Sequence, residues 1–288
     1  MEFITTLVNG LSLGGIYAMI ALGYTMVYGI AKMLNFAHGD IIMVGGYTIL
    51  VFLAINPIVS IVAAVVMCVL LGVSIEKVAY KPLRGSSPLA VLITAIGMSY
   101  FLQSLAQIIF GTAPRYVIIA EFGSLELGAL KIGHGTLITL AAAVCVMVLL
   151  NLFVKYTKIG RAMIAVSEDK DAARLMGIDI NMIITLTFAI GSALAALAGL
   201  FSLMNVPTIM PTYGALPGIK AFTAAVIGGI GSIPGAMLGG ILLGVVECIC
   251  NSLPGVAPYT TAIEFAILIV ILLVKPTGLL GKKRREKV

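Results

Sequence analysis

Two carboxylates, Glu247 and Glu264, stand inside long apolar runs of this 288-residue sequence. An acid at membrane depth is costly to keep and by default marks a solute or ion pathway. Each lies within about two turns of what reads as a helix end, so snorkelling or protonation is the alternative. A second polar island, "NFAHGD", gathers Asn35, His38 and Asp40 between two apolar segments. These groups either face a passage or hold a helix break together, because irregular backbone in lipid must be satisfied internally. The second role is the commoner one for buried polar side chains. His38 is also of the type that titrates near neutrality.

Elsewhere the reactive residue types are scattered. Cys68, Cys145, Cys248 and Cys250 all fall in apolar runs, where cysteine usually serves as a small buried side chain. "ECIC" at 247–250 puts two thiols on different sides of a helix, and His134 has no partner at ligand spacing. Gly281-Lys282 is followed by Lys283 and lacks the upstream glycine of a phosphate-binding loop. No Ser/His/Asp or Cys/His cluster points to hydrolysis. The sequence therefore predicts no metal, no cofactor and no nucleotide site in this chain, which reads as a non-enzyme.

What must position these residues is a set of membrane helices. Only 10% of residues are charged, against about 25% in soluble domains, and mean hydropathy is +1.14. Continuous apolar runs near 6–30, 40–55, 57–76, 89–110, 135–154, 182–204, 218–230, 235–252 and 258–274 predict an all-α polytopic membrane protein. A soluble two-domain fold has nowhere to put so much apolar surface, and a β-barrel would need alternation. The first run has no basic region before it and reads as an uncleaved span. The net charge of +6 comes mostly from the tail "GKKRREKV", which suits an anchor at the cytoplasmic face and does not suggest nucleic acid.

Fifteen Lys/Arg fall in the connections 31–39, 77–88, 155–181 and 275–288, against Arg115, Lys131 and Lys220 on the other side. The excess predicts that the first set is cytoplasmic. The expected organisation is one transmembrane unit over 1–288, with a cytoplasmic loop at 156–181 and a cytoplasmic tail at 276–288. Segments 40–55 and 218–230 are short of the roughly 20 residues a span needs. Each precedes a Pro-bearing turn, "INPI" or "GSIPG". Short segments at matching places in two halves point to an inverted repeat with a transport site between its parts. If 218–230 crosses, there are nine crossings and an outer N-terminus; if 40–55 turns back, the N-terminus lies inside. Small-residue stripes Gly10–Gly14–Ala18, Gly191–Ala195–Gly199, Gly231–Gly235–Gly239 and Gly240–Gly244 suit close helix packing in lipid.

Against this background one charged stretch stands out. Residues 158–179 hold eight of the thirty charged residues. In "GRAMIAVSEDKDAARLMGID", Ser167, Glu168 and Asp169 suit a helix start, the short Ser167 hydroxyl as cap and then two acids near the positive end of the dipole, and Gly177 suits its end. The helix between is expected to be about nine residues long, too short to stand alone in water. Ala172, Leu175 and Met176 share one face. Membrane-surface helices usually carry larger apolar anchors and a mostly basic polar face; this one sets Ala, Leu and Met against a mixed-sign face, so a protein groove is the expected seat.

This stretch resembles the cytoplasmic coupling loop of ABC importer permeases. Its core here reads Asp171-Ala172-Ala173-Arg174-Leu175-Met176-Gly177, with Asp171 where many families have Glu. "LNFAHGDIIMVGGY" at 34–47 and "VKPTGLLGKK" at 274–283 extend the likeness to LivH-type branched-chain amino acid permeases. The resemblance implies a subunit of an ABC importer in the cell (inner) membrane that moves aliphatic amino acids by alternating access. It implies four kinds of neighbour: a paralogous second permease, two cytoplasmic ATPases, an external binding protein and the lipid bilayer. It also implies that residues 168–177 couple to the ATPase. There the small Ala172 and Ala173 let the helix lie close in an ATPase cleft, Glu168, Asp169, Asp171, Leu175 and Met176 belong to the same coupling segment, and Gly177 turns the chain back. A permease for urea, short amides or other amino acids shares these motifs. An ATP-independent transporter or channel would more often carry paired charges at mid-membrane.

Overall fold

The structure is a computed structural model and describes residues 2–119, 123–127 and 130–281. Among these, seven helices are long and apolar enough to cross a membrane, and two apolar helices are shorter. The first half runs α1 (Glu2–Ala31), α2 (His38–Phe52), α3 (Pro57–Ile75) and α4 (Pro88–Phe110). A wide helical turn (Glu76–Tyr80) and a tight one (Lys81–Leu83) prolong α3. Strands β1 (Arg115–Tyr116), β2 (Ser124–Leu127) and β3 (Leu130–Gly133) lead to α5 (His134–Tyr156), α6 (Lys158–Glu168) and α7 (Lys170–Leu175). The second half runs α8 (Ile180–Asn205), β4 (Thr208–Ile209), α9 (Ala215–Gly228), α10 (Ile233–Ser252) and α11 (Thr260–Val274).

The two halves repeat one plan with inverted direction. A long helix (α1, α8) is followed by an irregular segment, a short helix (α2, α9), a proline-started helix (α3, α10) and an outer helix (α4, α11). Packing respects the equivalence: α1 lies along α10 as α8 lies along α3, α2 packs on α8 as α9 packs on α1, and α1 meets α8. Even the starts agree. Asn56 caps α3 ahead of Pro57, and Ser232 caps α10 ahead of Pro234, the proline sitting where its missing N–H costs nothing.

Glycine stripes bring the long helices together. A Cβ on Gly14 would stand 2.7 Å from the Ile241 Cα, and one on Gly10 would stand 2.9 Å from the Val245 Cα. Gly240 and Gly244 answer from α10 against Ala18 and Gly14. With no hydrophobic force between helices in lipid, this close van der Waals contact supplies the packing energy. Two thirds of the α8 span is buried, against about a tenth of α11, so α1 and α8 form the centre and α11 the rim.

Lys170 reaches the Ala31 carbonyl at 3.2 Å, Arg84 bonds Asn181, and Leu279 N–H donates to the Ile227 carbonyl. Ala31, Arg84, α7, Ile227 and the chain after α11 therefore share one end, called the basic end below. The opposite end holds β1 paired with β4 and the Tyr47 ring stacked 4.2 Å from Phe110. Since α2 continues to that far end, it does not turn back, and α1 begins at the far end. Helices of 15 and 14 residues rise only about 22 Å each, short of the about 30 Å of hydrocarbon. They start beside one another midway and run to opposite ends.

Candidate functional site

That meeting point is the first feature of interest. Gly39 at the start of α2 lies against the Gly214 carbonyl and the Gly218 Cα, and no side chain would fit between them. Beside this contact opens a cavity of about 210 Å³, lined by Tyr24 of α1, Phe36, Asp40 of α2, Ile96, Ser99, Tyr100 and Gln103 of α4, and Ile219 of α9. Gln103 Nε2 donates to Asp40 Oδ1 at 2.9 Å and to Ser99 Oγ at 3.2 Å. Neither α2 nor α9 carries a side-chain cap at its start.

The other two residues of "NFAHGD" stand behind the cavity wall. Asn35 Oδ1 accepts from the Tyr80 hydroxyl at 2.9 Å, which ties the irregular segment to the turn after α3. His38 is buried in the space Gly23 leaves and lies edge-on to Tyr24, ring centres 4.8 Å apart. Of the three, Asp40 alone lines the cavity.

Glu247 and Glu264 converge elsewhere. Lys220 of α9 places Nζ 2.7 Å from Glu247 Oε1 and 3.3 Å from Glu264 Oε2. The Tyr17 hydroxyl donates to Glu247 Oε2 at 2.7 Å. Four helices, α1, α9, α10 and α11, are thereby pinned by one ammonium and one phenol. This corrects the charge count of the sequence reading: Lys220 is not an outer-side charge but a buried partner of two acids. A lysine standing inside the apolar run that forms α9, five residues past its start, was the available signal.

At the basic end the charged stretch forms two helices, not one of nine residues. Packing of Gly160, Met163 and Val166 carries α6 through Ser167, whose hydroxyl bonds back to the Ile164 carbonyl. The cap of α7 is accordingly Asp169, which accepts from Asp171 N–H and Ala172 N–H at 3.0 Å each; Ser167 is not the cap. Gly177 (φ +80°) ends the helix, with its N–H on the Arg174 carbonyl and Ile178 N–H on the Ala173 carbonyl, a paired closure of the C-terminus. Ala173 turns inward and is buried, so it does not lie on the outward face. Leu175 and Met176 project, 89% and 82% exposed, with Ala172 also exposed and Glu168 and Asp171 nearby on the surface.

Sequence reasoning did not single out Glu76. It is fully buried, pairs with Arg84 and accepts from Thr185 at 2.9 Å, tying the end of α3 to the first turns of α8. Burial and the nearby Arg84 charge lower the pKa of the Lys170 ammonium on α7.

The family model for the branched-chain amino acid transport system permease component matches residues 6–272. The chain belongs to this permease family. It is 43% identical to a high-affinity branched-chain amino acid transport system permease protein, BraD, of Pseudomonas aeruginosa, over all of this chain and 98% of the relative. It is 42% identical to LivH of Escherichia coli, named likewise, with the same coverage. A solved structure, PsaBC from Streptococcus pneumoniae in complex with Fab, is similar in fold, with a TM-score of 0.51 and 14% identity across 96% of each chain. In this chain the midway cavity, the buried ionic cluster and the exposed tip of α7 are three separate features, the first two built partly on the same helices, α1 and α9.

Proposed function

We propose that this chain is the membrane subunit of an ATP-driven importer of branched-chain amino acids. It works beside a paralogous second permease, two cytoplasmic ATPases and an external binding protein. The observation that carries the reading is likeness over the whole length at above 40% identity to permeases named for this transport. The basic end faces the cytoplasm of the cell (inner) membrane, in keeping with the Lys/Arg excess there.

The tip of α7 enters a groove of the ATPase. Two large apolar side chains left in water, Leu175 and Met176, favour an occupant that covers them. The helix is short but firmly rooted by the inward Ala173, the Lys170–Ala31 bond and the Gly177 closure. A push on the tip passes through Ile178 and Asp179 into α8 and through Lys170 into α1. These are the two central helices of the inverted halves, and they flank the short helices α2 and α9. Shifting one half against the other about the Gly39–Gly214 contact opens the midway region to one end and then the other. Such rocking of repeats is the expected route of alternating access. ATP is hydrolysed by the partners.

The test is uptake by the complete complex in liposomes. ATP-dependent accumulation of leucine, isoleucine and valine, absent without the ATPase subunits, is expected. Accumulation without ATP, or import of other solutes with none of these three, overturns the reading.

A further inference from the structure

We infer that the cavity between α2, α4 and α9 is a station for a single aliphatic α-amino acid, whose ammonium group is received by the Asp40 carboxylate. This rests on the permease reading above and adds to it a site and a mode of recognition. A zwitterion at membrane depth needs a partner for each charge, since an unpaired charge there is strongly disfavoured. Asp40 is the one charged side chain on the cavity wall, is 1% exposed, and is held in place by Gln103. A lone buried carboxylate selects a cation. Lys220, next along α9 from Ile219, is not available to neutralise it, because that ammonium is engaged by Glu247 and Glu264.

The remaining wall fits the other parts of such a solute. Phe36, Ile96 and Ile219 supply an apolar side for a branched hydrocarbon chain, and Tyr100 stands at the rim, 66% exposed. The Tyr24 hydroxyl, on the same wall, supplies a donor for the α-carboxylate. The volume, about 210 Å³, lies below the about 300 Å³ at which pockets for drug-sized ligands begin. It suits one small solute. A single carboxylate in place of a dense polar lining holds the solute weakly, as passage requires.

The experiment uses the assembled importer in liposomes, with the binding protein saturated by leucine or by alanine. Asp40→Asn is expected to lower import of both at least tenfold, with Asp40→Glu recovering part of it. Ile96→Trp and Ile219→Trp, made singly, narrow the apolar side. They are expected to cut leucine import at least fivefold more than alanine import, a change of ratio that poor folding does not produce. Asp40→Asn importing at the wild-type rate, or a leucine-to-alanine ratio unmoved in both tryptophan variants, overturns the assignment while leaving the permease reading intact. Failure of the wild-type complex to import either amino acid removes both.

Discussion

Lys220 on α9 and Glu247 on α10 meet at 2.7 Å within the apolar body of the protein, with Glu264 of α11 3.3 Å from the same ammonium. One cation thus serves two acids, and the pair fixes a helix too short to span by itself to two of its neighbours. Glu247 and Glu264, read from the sequence as pathway candidates, are brought together by one ammonium, a geometry that suits a brace between helices.

Lys220→Met leaves two carboxylates without their cation. Breaking a buried pair from one side costs about 3–5 kcal/mol, so the purified permease should lose much of its thermal stability in detergent. The triple change Lys220→Met, Glu247→Gln, Glu264→Gln removes the stranded charges and should recover most of the loss. Equal melting of the single and triple variants would show that the cluster carries no bracing load.

Gly214→Val drives a side chain into the Gly39 carbonyl, where even a Cβ has no room. Overpacking a rigid contact costs about 1–3 kcal/mol, and here backbone must move. Import should fall more than tenfold. The matching change at Gly97, where a Cβ meets nothing within 4 Å, should leave import within twofold of wild type.

Gly177→Ala tests the turn that closes α7. Its φ of +80° is the issue, since nothing lies within 4 Å of the added Cβ. The left-handed conformation costs a non-glycine residue about 1–2 kcal/mol. Because the strain is confined to one exposed turn, melting of the membrane body should not change, while import should drop several-fold. Unchanged import would mean that the α7 closure does not matter to coupling.

Much of this architecture was legible in the sequence, for identifiable reasons. Apolar runs of span length, the two short segments before Asn56-Pro57 and Ser232-Ile233-Pro234, and the glycine stripes are local patterns, and local patterns survive into the fold. Gly177 was legible because a positive φ demands glycine. What escaped depends on distance along the chain. Gln103 reaches Asp40 from a helix some sixty residues away, and Glu76 finds Thr185 across more than a hundred. Lys220 misled because a lysine near the start of a short apolar segment looks the same in sequence whether it ends in water or beside Glu247. The cap at Asp169 was missed because packing of Met163 and Val166 extends α6 past the residue whose type favoured a helix start.

The most direct measurement concerns the tip of α7. With the native cysteines replaced, Leu175→Cys is exposed to a maleimide reagent in the permease alone and in the complete complex. Rapid labelling in the isolated permease, with strong protection and a disulfide cross-link to an engineered ATPase cysteine in the complex, is predicted. Position 175 labelling equally fast with and without the ATPase subunits would contradict the account, because the exposed lever would then be held by nothing.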